Sequence, residues 1–152
     1  MRLSIWKKVT VLLATLVLMI LATDRVSTAM PPLPNPVLLF IGQEDYEANG
    51  KHWTRYKYTV DNLAAYPNEL FAPAPDLPPC GKNTKSSRTW IDIYDSRGKR
   101  LYGFCALPNH DGLGQLWFAL ETDTIPPSWV YIEMNDRKTN TKYKSNLAET
   151  TG

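Results

Sequence analysis

The sequence predicts an all-β fold, a seven-stranded antiparallel β-sandwich, from three observations. Beyond residue 30 the chain breaks into short segments of alternating character, separated by Gly, Pro, Asn and Asp turn material. No segment there sustains the apolar period of an amphipathic helix. Strands that are apolar on one face need a cover, and two antiparallel sheets facing each other supply it.

Residues 1–29 stand apart as a secretory signal. A basic start with Arg2, Lys7 and Lys8 leads into a mostly apolar run at 9–22, and Ser27-Thr28-Ala29 closes in a small-x-small pattern. The run stops at Asp24-Arg25, short of the roughly 20 apolar residues that span a bilayer. Cleavage after Ala29 is therefore expected; an uncleaved N-terminal anchor is the alternative, and the only route by which the chain would meet a membrane. No cysteine follows the run to carry a lipid. Removing this segment leaves 13 Lys and Arg against 14 Asp and Glu, a net charge of −1 in place of +2. A near-neutral domain has no global field for nucleic acid, and the basic "RGKR" at 97–100 reads as a solvated hairpin tip.

Residues 30–35 form a proline-rich linker, and "PVLLFIG" at 36–42 is the first strand. Asn49-Gly50 is a hairpin turn dipeptide. In the "WTRYKYTVDN" that follows, Tyr56, Tyr58 and Val60 share one face, opposite Lys57, Thr59 and Asp61. The stretch 62–88 holds Pro67, Pro73, Pro75, Pro78 and Pro79 and cannot form a regular helix, beyond one short turn near "YPNELF". Its Leu70, Phe71 and Leu77 imply that it packs onto the domain. Five strands follow, in "RTWIDIYD", "KRLYGFCAL", "GQLWFALE", "SWVYIEMND" and "TKYKSN", within a single domain at 36–146 that ends in a tail at 147–152.

Seven strands in this order, with hairpins at "DSRGK" and "NDRKTNTK", resemble a fibronectin type III or related immunoglobulin-like module. The resemblance covers roughly 36–146 and rests on strand count and pattern. It implies a scaffold that presents loops or a sheet face to protein or glycan partners and performs no chemistry. The long loop at 62–88 departs from it, as does the placing of the cysteines, only one of which, Cys105, falls in a predicted strand. No site residue carries over.

Cys80 and Cys105 are the two cysteines of the chain. In an exported domain an even count argues for a disulfide, which would close a loop of about 26 residues, stabilise by roughly 3 to 4 kcal/mol and pin the proline-rich segment. A nucleophilic reading of Cys105 needs a base, and neither His52 nor His110 has an orienting partner at recognisable spacing. Asp92 and Asp95, three residues apart on a strand, point to opposite faces and make a poor carboxylate pair for sugar hydrolysis. Two histidines and two cysteines without short paired spacing are no zinc signature, and no loop matches a calcium hand or a phosphate cradle. No catalytic residue, metal or cofactor is therefore expected, and a hydrolase is a distant third reading.

Binding remains. Trp53, Trp90, Trp117, Trp129 and eight tyrosines are many for a domain of this size, and most must fill the core. Trp90 and Tyr94 alternate with Ile91 and Ile93, and Trp129 and Tyr131 with Val130 and Ile132, so if the aliphatic residues face inward these rings face out. Trp117 has the same relation to Leu116 and Phe118. Trp90, Tyr94, Trp129, Tyr131 and Trp117 are the candidate binding surface, the first four on condition that their strands share a sheet. The expectation is an exported, non-catalytic interaction or adhesion module, periplasmic or extracellular and bacterial in preference, with a protein partner or, alternatively, a glycan stacked on the rings.

Overall fold

A computed structural model describes residues 32–79 and 87–151, and the compact unit is Leu33–Gly152. Its strands are β1 (Leu38–Ala48), β2 (Lys51–Val60), β3 (Thr89–Asp95), β4 (Arg100–Phe104), β5 (Leu116–Glu121), β6 (Trp129–Asp136), β7 (Thr141–Lys144) and β8 (Ala148–Glu149). They form two antiparallel sheets, one ordered β1-β2-β5 and the other β4-β3-β6-β7 with β8 also paired to β6. The chain is thus an all-β sandwich.

Alternation decides what lies between the sheets. Tyr56, Tyr58 and Val60 of β2 with Leu116 and Phe118 of β5 face Ile91 and Ile93 of β3 and Val130, Ile132 and Met134 of β6, and all are buried. Two rings of β2 and one of β5 stack there, Phe118 lying 5.0 Å from Tyr56 and 6.0 Å from Tyr58. Burial raises the Tyr58 hydroxyl far above the ordinary phenol value, a consequence of placing a group that ionises poorly in apolar surroundings.

The first strand runs past the expected end at Gly42. That glycine, with φ of 131°, takes up a bulge between Phe40 and Gly42, and "QEDYEA" continues the ladder to the turn. Glu44 then lies opposite Arg55 and also pairs with Lys57, a cross-strand attraction that favours strand over loop. Asn49 and Gly50 both have positive φ, 54° and 69°, as a two-residue hairpin turn of the primed type requires.

The proline-rich segment packs by its own apolar residues. Tyr66, Leu70 and Phe71 are buried, Leu77 is half-buried, and short 3₁₀ turns form at Leu63–Ala65 and Asn68–Phe71. The Tyr66 hydroxyl donates to the Pro34 carbonyl at 2.8 Å, and burial pushes its pKa up to about 12. Residue 33 onward therefore belongs to the domain, since Leu33 packs on the core and Pro34 anchors Tyr66.

Residues 147–151, expected as a tail, are also part of it. Ala148 is buried against β6, Thr150 is fully buried, and the Thr150 amide donates to the Ser128 carbonyl at 3.1 Å. The sequence pattern misses this because two residues are too short to show alternation.

Asn146 ties the sheets together at one edge. Its Oδ1 accepts from the Leu38 amide at 2.7 Å and its Nδ2 donates to the Leu38 carbonyl at 3.0 Å, standing in for a neighbouring strand on the open side of β1. Asn146→Ala is expected to lower stability by about 1 to 2 kcal/mol, because both backbone groups lose a partner. Urea unfolding at pH 7 measures it, and an unchanged midpoint would show that water replaces the amide without loss.

Candidate binding surfaces

The outer face of the five-strand sheet carries the four rings read from β3 and β6. Tyr94 lies opposite Tyr131 in the register, and the two rings stack at 5.3 Å. Trp90 is four residues along β3, opposite Asn135, and Trp129 stands at the other end beside β8. These rings do share a sheet face, but the face is closed by its own groups. The Arg137 guanidinium covers the Trp90 ring at 3.8 Å, and the Lys144 ammonium sits over Tyr131 at 4.0 Å. Arg100 reaches Asp92 at 2.6 Å across Gly103, where any side chain would collide with that ion pair, and Lys142 meets Glu133 at 2.7 Å. Of the four rings only Trp129 is exposed, at 41%.

Trp117 belongs to the opposite face. β5 pairs with β2 in the three-strand sheet, so the Trp117 side chain lies on that sheet's outer surface, next to Lys57 and Arg55. The Arg55 guanidinium is held between two rings, 4.7 Å from Tyr46 and 4.8 Å from Trp117. Tyr102 of β4, in the other sheet, reaches round the sandwich edge to lie 4.6 Å from Trp117, with Phe104 at 6.2 Å. A shallow hollow of about 290 Å³ opens among Tyr46, Trp53, Tyr102 and Trp117, with Ala48 and Ala119 also lining it. A second, of about 270 Å³, is lined by Arg55 and Trp117 with Ile41, Lys57 and Gly114.

Tyr46, Trp53, Arg55 and Tyr102 join Trp117 here although none was singled out in the sequence. A signal for two of them was present: with Tyr56 and Tyr58 inside, period-two alternation puts Trp53 and Arg55 outside. Tyr102 carried no such signal. It lies opposite Ile93 and alternates as a core residue, but β4 is an edge strand, and at that edge Tyr102 is 37% exposed.

The residues weighed for chemistry are dispersed. His52 is the second residue of β2, exposed and opposite Glu47. His110 opens a 3₁₀ segment at His110–Gln115, with its Nε2 3.3 Å from Asp111. Asp92 and Asp95 take opposite faces of β3; Asp95 is buried and accepts the amides of Arg97 at 2.9 Å and Lys99 at 2.8 Å, which closes the β3–β4 turn. Those two amides, the Lys99 one foremost, hold its carboxyl below the usual carboxylate value. Cys105 lies one residue past the end of β4, and Cys80 falls outside the described residues.

What fold and surface define together is a two-sheet antiparallel sandwich with one self-closed sheet face and one ring-lined, hollowed face. Comparisons with protein-family models, curated proteins and solved structures found no match to the chain.

Proposed function

We propose that the chain is an exported, non-catalytic interaction module of the cell envelope or secreted fraction, and that it meets its partner on the outer face of the three-strand sheet. The observation that carries this is the pairing of hollows and rings around Trp117 with an exposed aliphatic strip, Val37, Leu39 and Ile41, on the same side of β1. For a protein partner that strip supplies the apolar centre an interface needs, and the rings its anchors. The glycan reading is favoured by the ring-lined hollow itself.

The fibronectin type III-like form of the fold is supported by the position of β4, which lies beside β3; the antibody constant pattern places the fourth strand beside the fifth. The Cys80–Cys105 disulfide draws support from the backbone around it. The Ser87 amide donates to the Cys105 carbonyl at 3.0 Å, the Arg88 amide to the Ala72 carbonyl at 2.9 Å, and no cysteine among the described residues is free. The Ser87 side of the segment containing Cys80 is thus held at Cys105, and Ala72 is tied to the adjoining Arg88. Peptide mapping without reductant is expected to recover the two cysteines linked, and two alkylated thiols would remove the bridge. N-terminal sequencing of the exported chain is expected to begin near Met30.

Trp117→Ala is expected to weaken partner binding at least about tenfold, and Trp90→Ala to leave it unchanged, since Arg137 already covers that ring. Equal losses in both variants, measured by titration of the purified chain, would move the contact away from this face.

A further inference from the structure

Resting on the reading of this face as the binding surface, we infer that the hollow among Tyr46, Trp53, Tyr102 and Trp117 takes a neutral oligosaccharide. The first reason is its shape. Rings from four strands stand around a space that the small side chains Ala48 and Ala119 leave unfilled. A pyranose presents a flat patch of C–H groups on its face and hydroxyls around its rim, so it gains ring contact while its polar groups stay in water or meet the phenol and indole donors.

The second reason is charge. Arg55 and Lys57 are both engaged by Glu44, at 2.7 and 2.9 Å, and Lys51 is paired with Glu121. Two carboxylates, Glu44 and Glu121, thus serve the three cations beside the hollows and leave one positive charge over, so the face offers no concentrated field to a phosphate, a sulfate or a uronate. An uncharged ligand fits it best.

The third reason is order. The Arg55 guanidinium between Tyr46 and Trp117, and Tyr102 against the far side of the cluster, restrict the rings before any ligand arrives, which lowers the entropy lost on binding. Trp117 lines both hollows, so a chain of sugars can pass over this ring and occupy the two together. That favours an oligosaccharide over a single sugar.

The test is titration of the full exported chain with cellohexaose, mannohexaose and chitohexaose, and with an oligogalacturonate as the charged control, followed by tryptophan fluorescence and calorimetry. Saturable binding of at least one neutral hexaose is expected, tighter than that of the matching disaccharide. Trp117→Ala and Trp53→Ala should each weaken it at least about tenfold. Ala119→Leu, which fills the hollow and removes no ring, should do the same, while Trp90→Ala should not. Circular dichroism of each variant shows whether the sandwich is intact, and the Ala119 variant tests the site if a tryptophan variant fails to fold. No response to the three hexaoses, a response only to the oligogalacturonate, or binding that survives Ala119→Leu would overturn the inference. If the sugars are silent and a photo-crosslinker at Tyr46 captures a protein whose binding Trp117→Ala abolishes, the glycan fails and the module stands. If neither engages this face, both fall.

Discussion

Phe118→Ala is expected to destabilise the domain by about 4 kcal/mol, within the range for deleting a fully buried ring. Phe118 is 1% exposed and stacks on both Tyr56 and Tyr58, so its loss strips contacts from two further aromatic side chains. The surroundings have little freedom to close the gap. β2, which carries both stacked tyrosines, is paired on its two sides with β1 and β5, so its rings are fixed by two backbone ladders. A loss of this size is a large fraction of the roughly 5 to 15 kcal/mol that small domains possess. Phe118→Leu, which keeps most of the volume, is expected to cost about 1.5 kcal/mol. Urea unfolding measures both, and the m-value should stay constant if the unfolded states are alike. A Phe118→Ala loss below about 1 kcal/mol would mean that the sheets do not pack over β5 as described.

Asp136→Ala is expected to lower stability by about 3 kcal/mol, because it leaves a partly buried guanidinium without its counter-ion. Asp136 is 2% exposed at the end of β6. Arg88 donates to both of its oxygens, with the Nε contact at 2.7 Å; the Thr139 hydroxyl donates at 2.8 Å and the Lys138 amide at 3.1 Å. One carboxylate thereby joins the end of the proline-rich segment to the β6–β7 turn. Burial opposes its ionisation, but Arg88, Thr139 and the Lys138 amide outweigh burial and hold its pKa below the usual value.

The direction of the pH effect follows. A carboxyl whose folded pKa is depressed contributes stability that is fully present above its unfolded pKa, near 3.8, and is lost as pH falls through the lower folded value. Asp95 acts in the same sense. Thermal melts of the native chain should therefore drop steeply below about pH 4, and Asp136→Asn should start lower at pH 7 but decline less with acid. An acid limb of equal slope in both chains would place the titrating group elsewhere.

Much of the architecture was readable because it rests on local alternation. Strands lie at each of the segments that alternate, and Leu70 and Phe71 bury the proline-rich segment as their apolar character implied. The limits of strands were harder to read where glycine is ambiguous: Gly42 looks like a stop in sequence and serves as a bulge in the ladder. The arrangement of the outward rings was half readable. That the rings of β3 and β6 point outward followed from their apolar neighbours, but that Arg137 and Lys144 cover two of them depends on residues from a turn and from an adjacent strand.

By itself the chain's order of residues determined the class of fold, the side of each strand that must be hidden, and the turns at Asn49-Gly50 and Ser96-Arg97-Gly98, all of which are set by neighbours within a few positions. Only the tertiary structure decided which strands share a sheet, and so which outward rings become neighbours. Trp117 was grouped with Trp90 and Tyr131 by the same alternation, yet it lies on the other sheet, beside Arg55 and Tyr102. The physical reason is that pleating fixes a side chain's face from adjacent residues alone, whereas sheet membership depends on hydrogen-bond partners far along the chain.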